Sequence, residues 1–321
     1  MPQRRLVTVN DIELMITEEG EGPLVLLLHG FPEAAHSWRH QIGPLAAAGY
    51  RVVAPEQRGY GPSSRPAAIG DYTIMHLVAD MTGLMKKLRA PDAVVIGHDW
   101  GATVAWHLAL MRPDLIRGVI GLSVPPYPRG VTGPLAGMRA LYDGRFYVNY
   151  IEEPGVAERE YERDPITSLR RTFYGVSGDN PANRSPRNML VPRGGGLLDA
   201  IDPEHSAAMP GWLTSEDLDI FAGQFADGFS GAFNWYRNLD RNWELTAAFD
   251  GVRLPMPAQF ITGDLDTVLA FHGIREHVMA LPRRHHHFAE PVILPGCGHW
   301  IQQERPQETT ELLLRFLASL P

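Results

Sequence analysis

The chain has 321 residues, long enough for a large core, and its 44% hydrophobic and 21% charged residues are the proportions of an ordinary globular protein. Its 29 Lys and Arg against 37 Asp and Glu give a net charge of -8, and no basic run stands out, which excludes an obvious nucleic-acid partner. A single cysteine, Cys297, excludes a disulfide within the chain and suits a reducing compartment. The opening MPQRRLVTVNDIELMITEEG carries acidic residues where a signal peptide needs an apolar block, and no apolar run reaches the ~18 residues of a membrane span. The expectation is a cytoplasmic protein without a membrane span.

In chain order, Leu6 to Val9 and Ile12 to Ile16 around Asn10-Asp11 read as a hairpin. Pro23 to Leu28 is a continuous apolar run, a strand buried on both faces, and it ends at His29-Gly30-Phe31-Pro32. Tyr50 to Ala54 repeats the pattern before Gly59, Gly61 and Pro62 turn the chain. Thr73 to Leu88 has apolar residues at helical spacing. Ala93 to Ile96 reads as a strand, Ala102 to Met111 as a helix and Ile116 to Leu122 as another strand. Strands alternating with helices predict an α/β protein with a mostly parallel central sheet and helices on both faces.

The rhythm stops near Pro125-Pro126. From about 127 to 245 the pattern is helical, for example Thr214 to Phe225, opened by a Thr214-x-x-Asp217 capping pattern. Between Gly175 and Gly211 the chain is rich in Gly and Pro, with Gly194 to Gly196 and Pro181, Pro186, Pro192, Pro203 and Pro210, and reads as an irregular loop. Strand patterns return at Ala258 to Thr262 and Pro291 to Leu294, followed by a last helix from Pro306 to Leu320. The predicted organisation is one sheet domain, 1–126 with 246–321, interrupted by a helical lid, 127–245.

Val94 to Val104, VVIGHDWGATV, has the strand, tight turn and small-residue helix start of a nucleophile elbow, with Asp99 at its apex. A serine there would need a base; an ionised carboxylate attacks an sp3 carbon directly. Open α/β sheets place their sites at the carboxyl ends of the strands. The polar residues there run Asp99, then Asp264 or Asp266, then His299 on the loop Gly296-Cys297-Gly298. That is a nucleophile, acid, histidine order.

These motifs carry a resemblance. HGFPEAAHSWRHQ (His29 to Gln41), QRGYGPSS (Gln57 to Ser64), GHDWGA (Gly97 to Ala102), GDLD (Gly263 to Asp266) and GHWIQQERP (Gly298 to Pro306) together resemble a soluble epoxide hydrolase of the α/β-hydrolase superfamily, over nearly the whole chain. Tyr147 in FYVNYIEEPG and Tyr236 in NWYRN match the two lid tyrosines with which that family holds the epoxide oxygen. The resemblance implies Asp99 as nucleophile, His299 as general base and Asp266, which fits the family spacing better than Asp264, as the acid that orients it. It implies backbone N–H groups of Phe31 and Trp100 as the oxyanion hole, and Phe31, Pro32 and Trp100 in the substrate pocket. Glu56 departs from the family, which usually has Asp in that string.

The chemistry is consistent with the resemblance. An epoxide leaves as an alkoxide, so opening it at neutral pH needs donors aimed at that oxygen, and tyrosines with pKa near ~10 stay protonated to provide them. Asp99 forms a hydroxyalkyl ester, which water activated by His299 hydrolyses to a vicinal diol. The partners are a small epoxide and water; no metal or organic cofactor is called for. Haloalkane dehalogenases share the Asp nucleophile but usually place Asn where this chain has Phe31; fluoroacetate dehalogenases follow the nucleophile with Arg where Trp100 stands. A non-catalytic ligand-binding relative ranks last, because every catalytic member is present. His285 to His287 reads as a solvated run and Cys297 as a small buried residue. An exposed lid surface would permit a homodimer without requiring one.

Overall fold

The computed structural model describes residues 2–185 and 189–321. Within them one eight-stranded sheet runs in the order β1-β2-β4-β3-β5-β6-β7-β8. Its strands are β1 (Gln3–Val9), β2 (Ile12–Glu19), β3 (Leu24–Leu28), β4 (Arg51–Pro55), β5 (Ala93–His98), β6 (Ile116–Leu122), β7 (Ala258–Gly263) and β8 (Val292–Leu294). The expected opening hairpin is β1 with β2, Val9 opposite Ile12, and Asn10 takes the turn at φ 47°. β2 joins β4 antiparallel, and the remaining pairings are parallel. The α/β expectation is borne out.

The continuous apolar runs are explained by cover on both faces. In β3, Leu24, Leu26 and Leu28 pack toward α2 (Ile74–Lys87) and α3 (Trp100–Met111), while Val25 and Leu27 pack toward α1 (Arg39–Ala47) and the C-terminal helix. Alternation along the strand sends each side chain to one core or the other. Helix α1 escapes a sequence reading because Gly43 and Pro44 sit inside it.

Between β6 and β7 the described residues form eight helices and no strand: α4 (Pro134–Tyr142), α5 (Tyr147–Ile151), α6 (Val156–Tyr161), α7 (Pro165–Gly175), α8 (Leu197–Ile201), α9 (Ser215–Gly223), α10 (Ser230–Arg237) and α11 (Leu239–Leu245). Thr214 caps α9 reciprocally with Asp217, as its sequence pattern predicts. The described parts of the Gly- and Pro-rich stretch, 175–185 and 189–211, are more regular than expected. They contain a 3-10 turn, Pro181–Arg184, and helix α8, whose Leu197, Leu198 and Ile201 are buried. The reason is tertiary: the Glu160 carboxylate accepts the N–H groups of Leu197 and Leu198 at 2.8 and 2.9 Å, capping α8 from a distant helix. Pro186 lies outside the described residues. After β7 come α12 (Ile274–Met279), α13 (Leu281–Arg284), α14 (Ile301–Glu304) and α15 (Pro306–Ser319). No helix is long and apolar enough to cross a membrane among the described residues.

The strand order reverses direction at β3, so a crevice opens between the carboxyl ends of β3 and β5. Three glycines close it tightly. A Cβ on Gly97 would lie 2.1 Å from the Gly101 carbonyl oxygen, one on Gly101 would lie 2.0 Å from that of Leu28, and one on Gly30 would lie 2.3 Å from Asp99 Oδ1. All three distances are below any real contact, so the turn, helix α3 and the end of β3 can meet only without side chains there. Gly101→Ala should therefore lower stability by about 1–3 kcal/mol through overpacking, measured by chemical denaturation. An unchanged midpoint would show that the helix does not pack this closely on the strand.

Candidate active site

Asp99 holds the turn between β5 and α3 at φ 52°, ψ -121°, a conformation that L residues avoid. Its backbone N–H donates to the Leu122 carbonyl at 3.2 Å, and its own carbonyl accepts from Ala102 and Thr103, so the strained residue is fixed on both sides. The Phe31 N–H donates to Asp99 Oδ1 at 2.9 Å. Trp100 follows as the first residue of α3, where an N–H has no partner within the helix.

His299 enters from the far side of the sheet. Its Nε2 stands 3.5 Å from Asp99 Oδ2 and its Nδ1 3.0 Å from Asp266 Oδ1. Asp266 is buried, and it accepts a further N–H from Val268 at 2.9 Å and the Thr262 hydroxyl at 3.1 Å. Asp264, the other sequence candidate, is exposed and accepts the Gly296 N–H at 2.7 Å, bracing the loop that carries His299 without touching the imidazole. Burial on its own would lower the His299 pKa; the Asp266 carboxylate beside it and Asp99 opposite hold it well above the usual histidine range. Burial pushes Asp266 up, but His299 outweighs that and holds its carboxyl below the usual value.

Tyr147 opens α5 and Tyr236 lies in α10; their ring centroids are 6.4 Å apart. Both line the cavity that also contains Phe31, Asp99 and His299. Burial, then the charge of Asp99, raises both phenols above their ordinary values, so both keep their protons at neutral pH. The other walls are Ile151 of α5, Thr172 of α7, Val176, Met189, Leu197 and Ile201 of α8, and Thr267, Val268, Phe271 and Trp300 from loops around Asp266 and His299. No Lys or Arg is among them. The cavity measures about 50 Å³, room for a few waters. Of the residues expected in the pocket wall, Phe31 lines it, whereas Pro32 and Trp100 do not. Trp100 is set edge-on against Tyr236 at 5.1 Å and packs behind the cavity. No cluster with the makings of a metal site occurs among the described residues, and Cys297 and His285 to His287 take no part in the cavity.

The sequence reading missed a second buried carboxylate under this site. Glu33 Oε2 pairs with His98 Nδ1 at 2.5 Å and accepts the Gly30 N–H at 3.2 Å, while its Oε1 accepts from the Gln302 and Gln303 amides. His98 Nε2 in turn reaches the His299 carbonyl oxygen at 2.8 Å. One group thus ties the turn after β3, the residue before Asp99 and the loop bearing His299. The available signal was an ionisable residue directly after HGFP and another inside GHDWG. Glu56 is also buried and accepts the Ala35 N–H at 2.9 Å, so the longer carboxylate still caps the 3-10 turn beside the site.

The profile of the alpha/beta hydrolase fold family matches residues 23–306. Epoxide hydrolase A of Mycobacterium tuberculosis is 45% identical, covering 99% of this chain and 98% of that one; epoxide hydrolase 1 of Siraitia grosvenorii is 38% identical, covering 97% and 96%. Among solved structures, epoxide hydrolase A from Mycobacterium thermoresistibile superposes with a TM-score of 0.92 at 46% identity, covering 100% of this chain and 99% of its own. An epoxide hydrolase from an endophytic Streptomyces gives 0.93 at 42%, covering 99% and 95%. The fold and site define an α/β hydrolase. Within that class the chain belongs to the epoxide hydrolase family, as its motifs implied.

The Glu33 network has a pH signature. Burial opposes its ionisation, but His98 and the surrounding donors prevail and lower the Glu33 pKa from 4.5 to about 2. A carboxyl with a depressed folded pKa stabilises the fold above its unfolded value, and that contribution is lost as pH falls from about 4.5 toward 2. Glu33→Gln should therefore flatten the loss of stability across this window, measured by denaturation at stepped pH. A profile identical to wild type would remove Glu33 as a source of acid lability.

Proposed function

We propose that the enzyme opens epoxides to vicinal diols in two steps through an ester on Asp99. The observation that carries this is the division of the two Asp99 oxygens: Oδ1 is held by the Phe31 N–H at 2.9 Å, while Oδ2 stands 3.5 Å from His299 Nε2, in the cavity that Asp99 shares with the two tyrosines. In this mechanism Oδ2 attacks a ring carbon, the carbon–oxygen bond of the epoxide breaks, and Tyr147 and Tyr236 both hydrogen-bond the developing alkoxide; one of them gives it a proton and regains one from the imidazolium of His299 by way of solvent. Water then gives a proton to His299 and attacks the carboxyl carbon. The negative charge collects on Oδ1, beside the N–H of Phe31 and that of Trp100, until the ester bond breaks, the diol oxygen takes the proton from His299, and the Asp99 carboxylic acid gives its own proton to His299.

Electrostatics orders the steps. In the free enzyme the facing carboxylates favour the protonated form of His299. Alkylation removes the charge of Asp99, one of the two groups that raise the His299 pKa, so the imidazole sheds its proton more readily and is free to accept one from water once there is an ester to hydrolyse.

The segment 127–245 acts as a lid on the core formed by 1–126 and 246–321, and it supplies both tyrosines together with Ile151, Val176, Met189, Leu197 and Ile201 of the apolar wall. Around Asp99 and His299 the wall is mostly apolar and holds no Lys or Arg, which favours a neutral epoxide. We read the protein as cytoplasmic, in keeping with its one buried cysteine, and as capable of forming a homodimer through the exposed side of the lid. The dehalogenase alternative has no specific support in the site: no Asn stands at Phe31, and two phenols suit an oxygen leaving group.

With excess enzyme and a styrene-type epoxide in water enriched in heavy oxygen, the first turnover should place label in the Asp99 carboxylate and not in the diol; label appearing first in the diol would sink the ester. His299→Gln should accumulate an adduct visible by intact mass. Tyr147→Phe and Tyr236→Phe should each slow alkylation by about 100-fold. Halide release from chloroalkanes without epoxide turnover would move the assignment to a dehalogenase.

A further inference from the structure

Glu304, the last residue of α14, is buried, and no step above uses it. Its two oxygens collect three backbone donors. Oε2 accepts the Gly298 N–H at 2.8 Å and the Gly178 N–H at 3.0 Å, and Oε1 accepts the Trp300 N–H at 3.1 Å. Gly298 and Trp300 are the residues on either side of His299, and Gly178 belongs to the stretch that follows α7. The His299 N–H donates to the Val176 carbonyl of that same stretch at 3.0 Å, and the Trp300 indole donates to the Phe173 carbonyl at 2.9 Å.

We propose that Glu304 is a positioning residue for the hydrolytic half of the reaction, clamping the backbone on both sides of His299 and joining that loop to the end of α7. Asp266 orients the imidazole ring; Glu304 orients the backbone from which the ring projects. A carboxylate can serve three donors at once because its two oxygens offer about four acceptor sites. An amide has only one accepting oxygen, so Gln at this position leaves at least one buried N–H without its partner and turns an NH2 group toward another donor.

The two steps depend differently on this clamp. Asp99 attacks from a turn fixed by Leu122, Ala102, Thr103 and Phe31, and none of these groups touches Glu304. Water activation depends on where Nε2 of His299 stands, and a shift of about 1 Å in such a group costs on the order of 100-fold in rate. Loss of the clamp therefore slows ester hydrolysis and spares ester formation. The proposal rests on the two-step mechanism.

The test is Glu304→Gln under single-turnover conditions with a styrene-type epoxide, following the adduct by quenched-flow and intact mass, with His299→Gln in parallel. Ester formation should stay within about threefold of wild type, while ester breakdown and kcat fall on the order of 10- to 100-fold and KM falls with kcat. Equal loss in both steps, or unchanged breakdown in a folded variant, would overturn the proposal. If Glu304→Gln does not fold, Gly178→Ala attacks the same junction from the other side. Its Cβ would lie 2.8 Å from both Glu304 Oε2 and the Gly298 nitrogen, and the same split between steps is expected. An adduct in His299→Gln without slowed breakdown in the clamp variants removes only the role of Glu304. No adduct in His299→Gln removes the two-step mechanism itself.

Discussion

The site depends on one backbone conformation: Asp99 at φ 52° on the turn that ends β5. An L residue holds that conformation only where the surroundings over-determine it, and here backbone partners on both sides do so. Glycines at 97, 101 and 30 remove the side chains that would otherwise separate strand, helix and neighbouring turn. In exchange, the carboxylate is lifted clear of the sheet and delivered to the N–H of Phe31 at the one place where the strand order reverses. Neither the histidine nor the tyrosines could serve a nucleophile that lay back along the helix as an ordinary cap.

Around that turn, the half-buried Asp99 and three buried carboxylates divide the labour. Asp266 and Asp99 face the two nitrogens of His299, Glu33 joins the residues before the nucleophile and after β3, and Glu304 gathers the backbone around the histidine. Buried acids are costly unless well supplied with donors, and each of these supporting acids has several. Their shared effect is to hold loops from distant parts of the chain in register. The site is therefore built on fixed contacts between loop ends and not on one rigid element.

The helices between β6 and β7 contribute in a different way. They bring two phenols into the cavity with Asp99 and line it with uncharged side chains from α5, α7 and α8. A largely apolar lining strengthens the electrostatic interactions beside it, so on the proposed mechanism the tyrosine hydrogen bonds are worth more to an alkoxide than they would be in water. On the proposed mechanism, the chemistry of the core and the choice of electrophile come from separate stretches of sequence.

What the sequence determined by itself was local and periodic. Apolar runs located the buried strands, the GHDWG turn located Asp99, the motif set implied the family, and Thr214 with Asp217 located the start of α9, because each signal lies within a few residues of its effect. The tertiary structure decided whatever depended on partners far apart in the chain. It placed Asp266 and not Asp264 against the imidazole, since only the fold settles which carboxyl points inward. It ordered α8 through Glu160, set Trp100 behind Tyr236, and drew Glu33 and Glu304 beneath the site. None of these residues is marked by its neighbours in sequence, because the groups that define their roles meet only when the sheet has closed and the lid helices have packed across it.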